Sequence, residues 1–161
     1  MRLPTNCLAL LLAATLPCIS FAANADLLID DPYVRLAPPN APASGAFMLI
    51  RNTGKANRQL IKAESPAAKT VELHTHINEN GVMKMREVAA INVSAGGQTE
   101  LKPGSYHIML IGMKQQLKEG DAIPLTLSFD DGSKKQIIAP VRKLQTTMPA
   151  GKGMQHGGMK Q

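Results

Sequence analysis

The sequence predicts an all-β domain of the sandwich or barrel kind. Short apolar runs recur along the 161-residue chain with turn residues between them. No long stretch keeps the 3.6-residue period of an amphipathic helix. Asn80-Gly81 lies between two alternating segments, and Asn-Gly is a strong hairpin signal because a type I′ turn needs positive φ at both central positions.

Eight or nine short strands are predicted, most of them bounded by Gly, Pro, Asn or Asp. In order they cover residues 33–36, 46–51, 59–63, 71–76, 82–86, 91–93, 106–111, 124–129 and 136–141. Turn signals that support these limits include the segments 37–40, 52–54, 65–66, 103–104 and 130–132. Pro140 favours an edge or a strand end, since proline has no N–H to donate. A helical turn is expected in one place, Gly112 to Glu119.

Residues 1–25 are predicted to be a signal peptide that is removed. A positive Met1-Arg2 precedes the apolar run 8–16, which is too short to span a bilayer, and Ala23-Asn24-Ala25 is a cleavage pattern. Cys18 raises the alternative of a lipoprotein, but Pro17 and Ile19 fit that signal poorly. Both cysteines leave with the leader, and a cysteine-free domain is acceptable in an oxidising compartment.

The remaining chain is expected to form one domain, residues 26–145, and a tail, residues 146–161, that is rich in Gly, Met and Lys and predicted to be disordered. The net charge of +6 is spread along the chain, which favours a solvated surface. Aromatic residues make up 3% of the sequence, too few for base stacking, so no nucleic-acid partner is expected. No second apolar segment of about 18 residues exists that would span a membrane.

Four residues point to copper: His74, Met85, His107 and Met109. Thioether sulfur is soft and uncharged, so it binds Cu(I) well and competes poorly for Zn(II) or Mg(II). Imidazole is a common ligand for copper and zinc alike. Two of each would leave Cu(I) in a neutral site without thiolate, so the sequence predicts a copper-binding protein.

Strand geometry explains how these side chains could meet. Side chains two apart in a strand point the same way, and the Asn80-Gly81 turn folds one strand back on the other. Val71 and Leu73 would then face the core while Glu72 shares the opposite face with two imidazoles. Three same-face pairs result on three strands: His74 with His76, Met83 with Met85, and His107 with Met109.

Each residue also has a plainer interpretation. A single histidine on a strand is usually a surface or hydrogen-bonded side chain, and methionine usually fills gaps in a core, as expected for Met48 and Met113. Glu72 would either support a ligand imidazole or be an ordinary surface carboxylate. His76 is a spare ligand, a gate or plain surface. The tail residues Met154, His156 and Met159 are either part of a bland tail or a mobile second copper site, holding Cu(II).

The spacing His-x10-Met-x21-His-x-Met resembles the signature of the periplasmic copper chaperone family that serves the CuA centre (PCuAC). The likeness extends over residues 33–141 and includes the segments Val71-Glu72-Leu73-His74, Gly81-Val82-Met83-Lys84-Met85, Leu101-Lys102-Pro103-Gly104 and His107-Ile108-Met109-Leu110. It implies a cupredoxin-like Greek-key β-barrel or sandwich with a β-hairpin extension, and Cu(I) held by the four residues above. It further implies a periplasmic location and copper delivery to cytochrome c oxidase, with a Sco-type chaperone or the CuA subunit as partner. Thr75 and His76 depart from the family's usual residues after the first ligand.

The favoured hypothesis is a Cu(I) chaperone that is not an enzyme. The alternative is copper sequestration for tolerance without an oxidase, which differs in partner rather than in site. A blue-copper electron carrier would need a Cys thiolate, which the processed chain lacks. The sequence contains no nucleophile–base pair, zinc motif or phosphate-binding glycine loop, so a hydrolase or redox enzyme is not indicated.

Overall fold

The computed structural model describes residues 26–143, and this part of the chain is all-β, as predicted. Ten strands are present: β1 Leu27–Arg35, β2 Ala43–Asn52, β3 Arg58–Glu64, β4 Ala68–Glu79, β5 Val82–Glu87, β6 Ile91–Val93, β7 Gln98–Leu101, β8 His107–Met113, β9 Ala122–Phe129 and β10 Lys134–Arg142. The predicted leader and tail lie outside the described residues, so the predicted domain limits stay a prediction.

The strands form a two-layered, cupredoxin-like β-sandwich. Their order is β5-β4-β8-β2-β1-β10-β9-β3-β6, with β7 paired to β2, and every pair is antiparallel except β1 with β10. The path folds over so that β3 contacts β4, and β6 contacts β2 and β7. The largest side chains between the layers are fully buried, among them Leu27, Ile50, Leu60, Ile108, Leu110 and Phe129. Burying one such side chain stabilises the fold by about 1.5–3 kcal/mol.

The predicted helical turn at residues 112–119 is wrong, because the backbone donors there serve other segments. Gly112 and Met113 both donate to the carbonyl of Pro42, and Lys114 donates to that of Ala67. Gly112 also has a φ of 67°, outside the right-handed helical region. The segment therefore extends β8 and then continues in bends and turns.

Pro140 lies inside β10 rather than on an edge strand. It is opposite Ala122 in the last register pair that β10 forms with β9, and the next residue, Val141, pairs with Val34 of β1. The proline thus lies where β10 stops pairing with β9 and starts pairing with β1. It is at the end of the β9 ladder but not at the end of β10 itself.

The hairpin β4–β5 forms one end of the sheet, and its turn is the predicted type. Asn80 and Gly81 have φ of 53° and 83°, as a type I′ turn requires, and the Asn78 side chain accepts a hydrogen bond of 2.7 Å from the Gly81 N–H. The two-residue loop fixes the register of everything that follows on β5. Among residues 26–143 there is no helix long and apolar enough to cross a membrane.

Candidate metal centre

The strand register brings the predicted ligands onto one face of three neighbouring strands. His74 of β4 lies directly opposite His107 of β8, and Met109 lies opposite Glu72. Across the hairpin, Met85 of β5 lies opposite His76. The alternate side chains point the other way: Leu73 is buried in the core, as predicted, and so are Ile108 and Leu110.

His107 is the most constrained of these residues. Its side chain is buried, and its Nδ1 lies 2.9 Å from the carbonyl oxygen of Ser105. A carbonyl only accepts, so Nδ1 carries the proton and Nε2 keeps its lone pair. Burial lowers the pKa of His107, which favours the neutral ring.

The free Nε2 of His107 lies 3.2 Å from the sulfur of Met85. A thioether has no proton to donate, so with this tautomer two lone pairs face each other across the gap. Two facing lone pairs do not form a hydrogen bond, whereas both atoms can bind the same soft cation. The contact therefore places two uncharged lone-pair donors, one nitrogen and one sulfur, 3.2 Å apart.

His74 and His76 each have one ring nitrogen that is buried and has no hydrogen-bond partner, Nδ1 in both cases. The Nε2 of His74 lies 2.7 Å from a carboxylate oxygen of Glu72, the contact expected of a carboxylate that orients a ligand imidazole. The ring centre of His107 lies 5.8 Å from that of His74 and 5.2 Å from that of His76. Each of these two imidazoles therefore has a ring nitrogen without a hydrogen-bond partner, and each ring lies beside that of His107.

An open cavity of about 430 Å³ lies over this face. Four of its lining side chains are His76, Met85, His107 and Met109, and the lining does not include His74. Among the described residues that line it there is no carboxylate, and Arg35 is the sole charged side chain. Such a lining disfavours hard divalent cations, which need anionic oxygen ligands.

Within residues 26–143 no three His, Cys, Asp or Glu side chains stand together in an arrangement that would hold a metal. A site here consequently depends on thioethers as well as imidazoles. The methionines differ in position: Met85 faces the imidazoles and is 43% exposed, while Met83 lies opposite Asn78 near the turn and is 55% exposed. Met154, His156 and Met159, the predicted tail ligands, lie outside the described residues.

Comparison with known proteins places the chain in a family. A family model described as "Putative lipoprotein LpqE-like" matches residues 27–141. The chain belongs to the LpqE-like family. A relative from Leifsonia xyli subsp. xyli, "Putative lipoprotein Lxx21020", is 37% identical over 117 residues, which is 70% of each chain.

Solved structures similar to this LpqE-like chain include PCuAC domains, which confirms the resemblance found in the sequence. The copper-bound PCuAC domain from PmoF2 is 21% identical, with a TM-score of 0.64 over 75% of this chain and 96% of that one. The solution structure of Cu(I)-bound DR1885 from Deinococcus radiodurans is 27% identical, with a TM-score of 0.58 over 80% of this chain and 88% of that one.

Four residues around the site were missed by sequence reasoning. Ser105 acts through its backbone carbonyl, which no side-chain pattern reveals. Gly45 lies opposite Met109 and lines the cavity with Arg35. Phe47 packs its ring 6.1 Å from that of His107, and a Cβ at Gly45 would come within 2.9 Å of that phenyl ring. Gly45 directly precedes the predicted strand 46–51, and a glycine in such an apolar segment was the one available signal, since it often marks a close approach.

Proposed function

We propose that this LpqE-like chain is a periplasmic copper chaperone that binds Cu(I) through His74, Met85, His107 and Met109 and delivers it for assembly of the CuA site of cytochrome c oxidase. The observation that carries the proposal is the lone pair of His107 Nε2 facing the Met85 sulfur at 3.2 Å. The copper bound by the DR1885 and PmoF2 proteins supports the choice of metal.

The site is suited to passing its cargo on. The Met85 side chain is partly open to solvent, and the neighbouring Val82 and Met83 on the hairpin are exposed as well. A partner can therefore reach the metal without unfolding the domain. Neutral thioethers hold Cu(I) less strongly than thiolates do, so a thiol-bearing partner of the Sco type, or the CuA subunit itself, would take the ion. This role requires no catalytic group, and we propose none.

The central experiment measures Cu(I) stoichiometry and X-ray absorption on protein that begins at Asp26. We expect one equivalent of Cu(I) with mixed nitrogen and sulfur scattering and no visible absorption band, because Cu(I) is d10. His107→Ala or Met109→Ala should abolish tight binding. Replacing Met154, His156 and Met159 together by alanine shows whether the tail adds a second equivalent of Cu(I) or binds Cu(II). An intense blue band in the isolated protein, or unchanged binding by His107→Ala, would contradict the proposal.

Deleting the gene distinguishes copper delivery to the oxidase from copper sequestration for tolerance. Loss of cytochrome oxidase activity at low copper, restored by the wild-type chain and not by His107→Ala, is the outcome expected for delivery. Copper sensitivity with normal oxidase activity would instead identify the chain as a tolerance protein.

The location is tested by the intact mass of the exported protein. We propose cleavage after Ala25, which leaves a chain without cysteine. The lipoprotein descriptions of the family and of the Leifsonia relative make acylation at Cys18 the competing outcome. A lipidated chain beginning at Cys18 would overturn the proposed cleavage while leaving the copper site untouched.

A further inference from the structure

His76 occupies the position that the proposed ligand His74 would be expected to fill. It is His76 that lines the open cavity with Met85, His107 and Met109, and it lies directly opposite Met85 in the hairpin. His74 is opposite Glu87 in the same ladder, and its Nε2 is engaged by Glu72 at 2.7 Å.

The distances between ring centres point the same way. With a metal–nitrogen bond of about 2.0 Å and a nitrogen about 1.2 Å from the ring centre, two imidazoles at a tetrahedral angle on one metal have centres about 5.2 Å apart. The separation found for His76 and His107 is 5.2 Å. The 5.8 Å between His74 and His107 would correspond to an angle of about 130° with the same bond lengths, unless a ring moves.

His76 also has the unused donor atom that a ligand needs. Its Nδ1 is buried without a hydrogen-bond partner, and an unpartnered polar atom of this kind costs about 1–3 kcal/mol unless something satisfies it. A plain surface histidine would turn that nitrogen to water.

We propose that His76 is a second imidazole ligand, interchangeable with His74, for the same Cu(I). This rests on the proposed function. One set of donors is His76, Met85, His107 and Met109, which line the open cavity together. The other set exchanges His76 for His74, whose Nδ1 faces no partner.

Interchangeable imidazoles would serve release. His74 and His76 are two apart on β4, with Cα atoms about 6.5–7 Å from each other. A bound ion that loses one imidazole keeps its three other ligands and can gain the second imidazole without leaving the site. An incoming thiolate meets a site in which one metal–nitrogen bond is already being exchanged, which lowers the cost of entering the coordination sphere.

A double-mutant cycle tests this, with Cu(I) affinity measured by anaerobic competition against a chromophoric chelator. His74→Gln, His76→Gln and the double variant are compared in chains whose tail residues Met154, His156 and Met159 are alanine. Each single variant should lose less than about tenfold in affinity, because the other imidazole replaces it. The double variant should lose about a hundredfold or more, as expected when no replacement imidazole remains. X-ray absorption of His76→Gln should still show two nitrogen ligands.

Three outcomes bear on the inference differently. If His76→Gln has the same small effect with and without His74, His76 is not a ligand and the inference is overturned. If His76→Gln alone costs as much as His107→Ala, His76 is a fixed ligand and interchange is overturned. If His107→Ala itself leaves Cu(I) affinity unchanged, the proposed function fails instead. Thermal unfolding of each variant, together with a His76→Asn variant, controls for a folding defect.

Discussion

Replacing Met85 by leucine tests most directly whether His107 Nε2 and the Met85 sulfur bind the same Cu(I). With metal–nitrogen and metal–sulfur bonds of about 2.0 and 2.3 Å, a tetrahedral angle places the two donor atoms about 3.5 Å apart. His107 Nε2 and the Met85 sulfur are 3.2 Å apart in the folded chain. The sulfur therefore needs to move by only about 0.3 Å to bind an ion held by His107.

The expected cost is a loss of about ten- to a hundredfold in Cu(I) affinity, or more. That range corresponds to about 1.4–2.8 kcal/mol. Leucine keeps the volume and apolar character of methionine, so packing changes by less than about 1.5 kcal/mol, and by less still at a side chain that is 43% exposed. A change in Cu(I) affinity without a change in thermal stability thus reports the loss of the thioether.

Met83→Leu is the matched control, because Met83 is on the same strand and the same face but lies opposite Asn78 near the turn. Cu(I) affinity is measured for both variants against the same chelator. We expect Met83→Leu to match the wild type. Equal affinity of Met85→Leu and wild type, or equal losses in the two variants, would refute the geometric argument.

Three further predictions concern the domain that holds the site. Asn52→Ala should lower the free energy of unfolding by about 3 kcal/mol, as measured by urea titration. The buried amide donates to two backbone carbonyls and accepts from one N–H, and alanine loses all three hydrogen bonds. A loss below about 1 kcal/mol would show that water replaces these bonds. Gly45→Ala should cost about 1–3 kcal/mol and weaken Cu(I) binding, because its Cβ would displace the ring of Phe47, which packs beside His107; unchanged Cu(I) affinity would contradict this coupling. Because burial lowers the pKa of His107, the unfolded chain takes up a proton below about pH 6.5 while the fold resists it, so metal-free stability should fall as the pH drops through this range to the folded pKa. His107→Gln should flatten that slope below about pH 6.5, and an equal slope in the variant would contradict this.

The sequence was sufficient for the parts of the site that depend on local rules. Alternation around His74 predicted which side chains face the core, and Asn80-Gly81 predicted the hairpin with its type I′ turn. The turn also decides which methionine meets an imidazole, since a two-residue loop sets Met85 opposite His76. That His107 lies opposite His74 follows from β8 pairing with β4, a long-range choice that no local pattern specifies.

The missed strand segments have local causes. The first half of β1 contains Asp30, Asp31 and Pro32, residue types that indicate a turn. The chain accommodates them with a register shift between Asp30 and Tyr33. Within this shift Asp31 adopts a φ of 43° and forms an ion pair with Arg142. A bulge of this kind keeps the strand while breaking its pattern. The polar β7, Gln98–Leu101, was missed because only its last residue is buried.

The two halves of the site differ in how firmly the fold holds them, and this difference argues for where release begins. His107 is fixed by burial and by the carbonyl of Ser105, on a strand paired on both sides. Met85 is on β5, which pairs with β4 alone and whose six residues are all exposed. Local opening needs least free energy where backbone hydrogen bonds are exposed and few apolar contacts hold a strand. Of these two ligands, we therefore expect Met85 to leave the ion before His107. A covalent link between β5 and β4 should then slow transfer of Cu(I) to a thiol acceptor more than it changes the Cu(I) affinity.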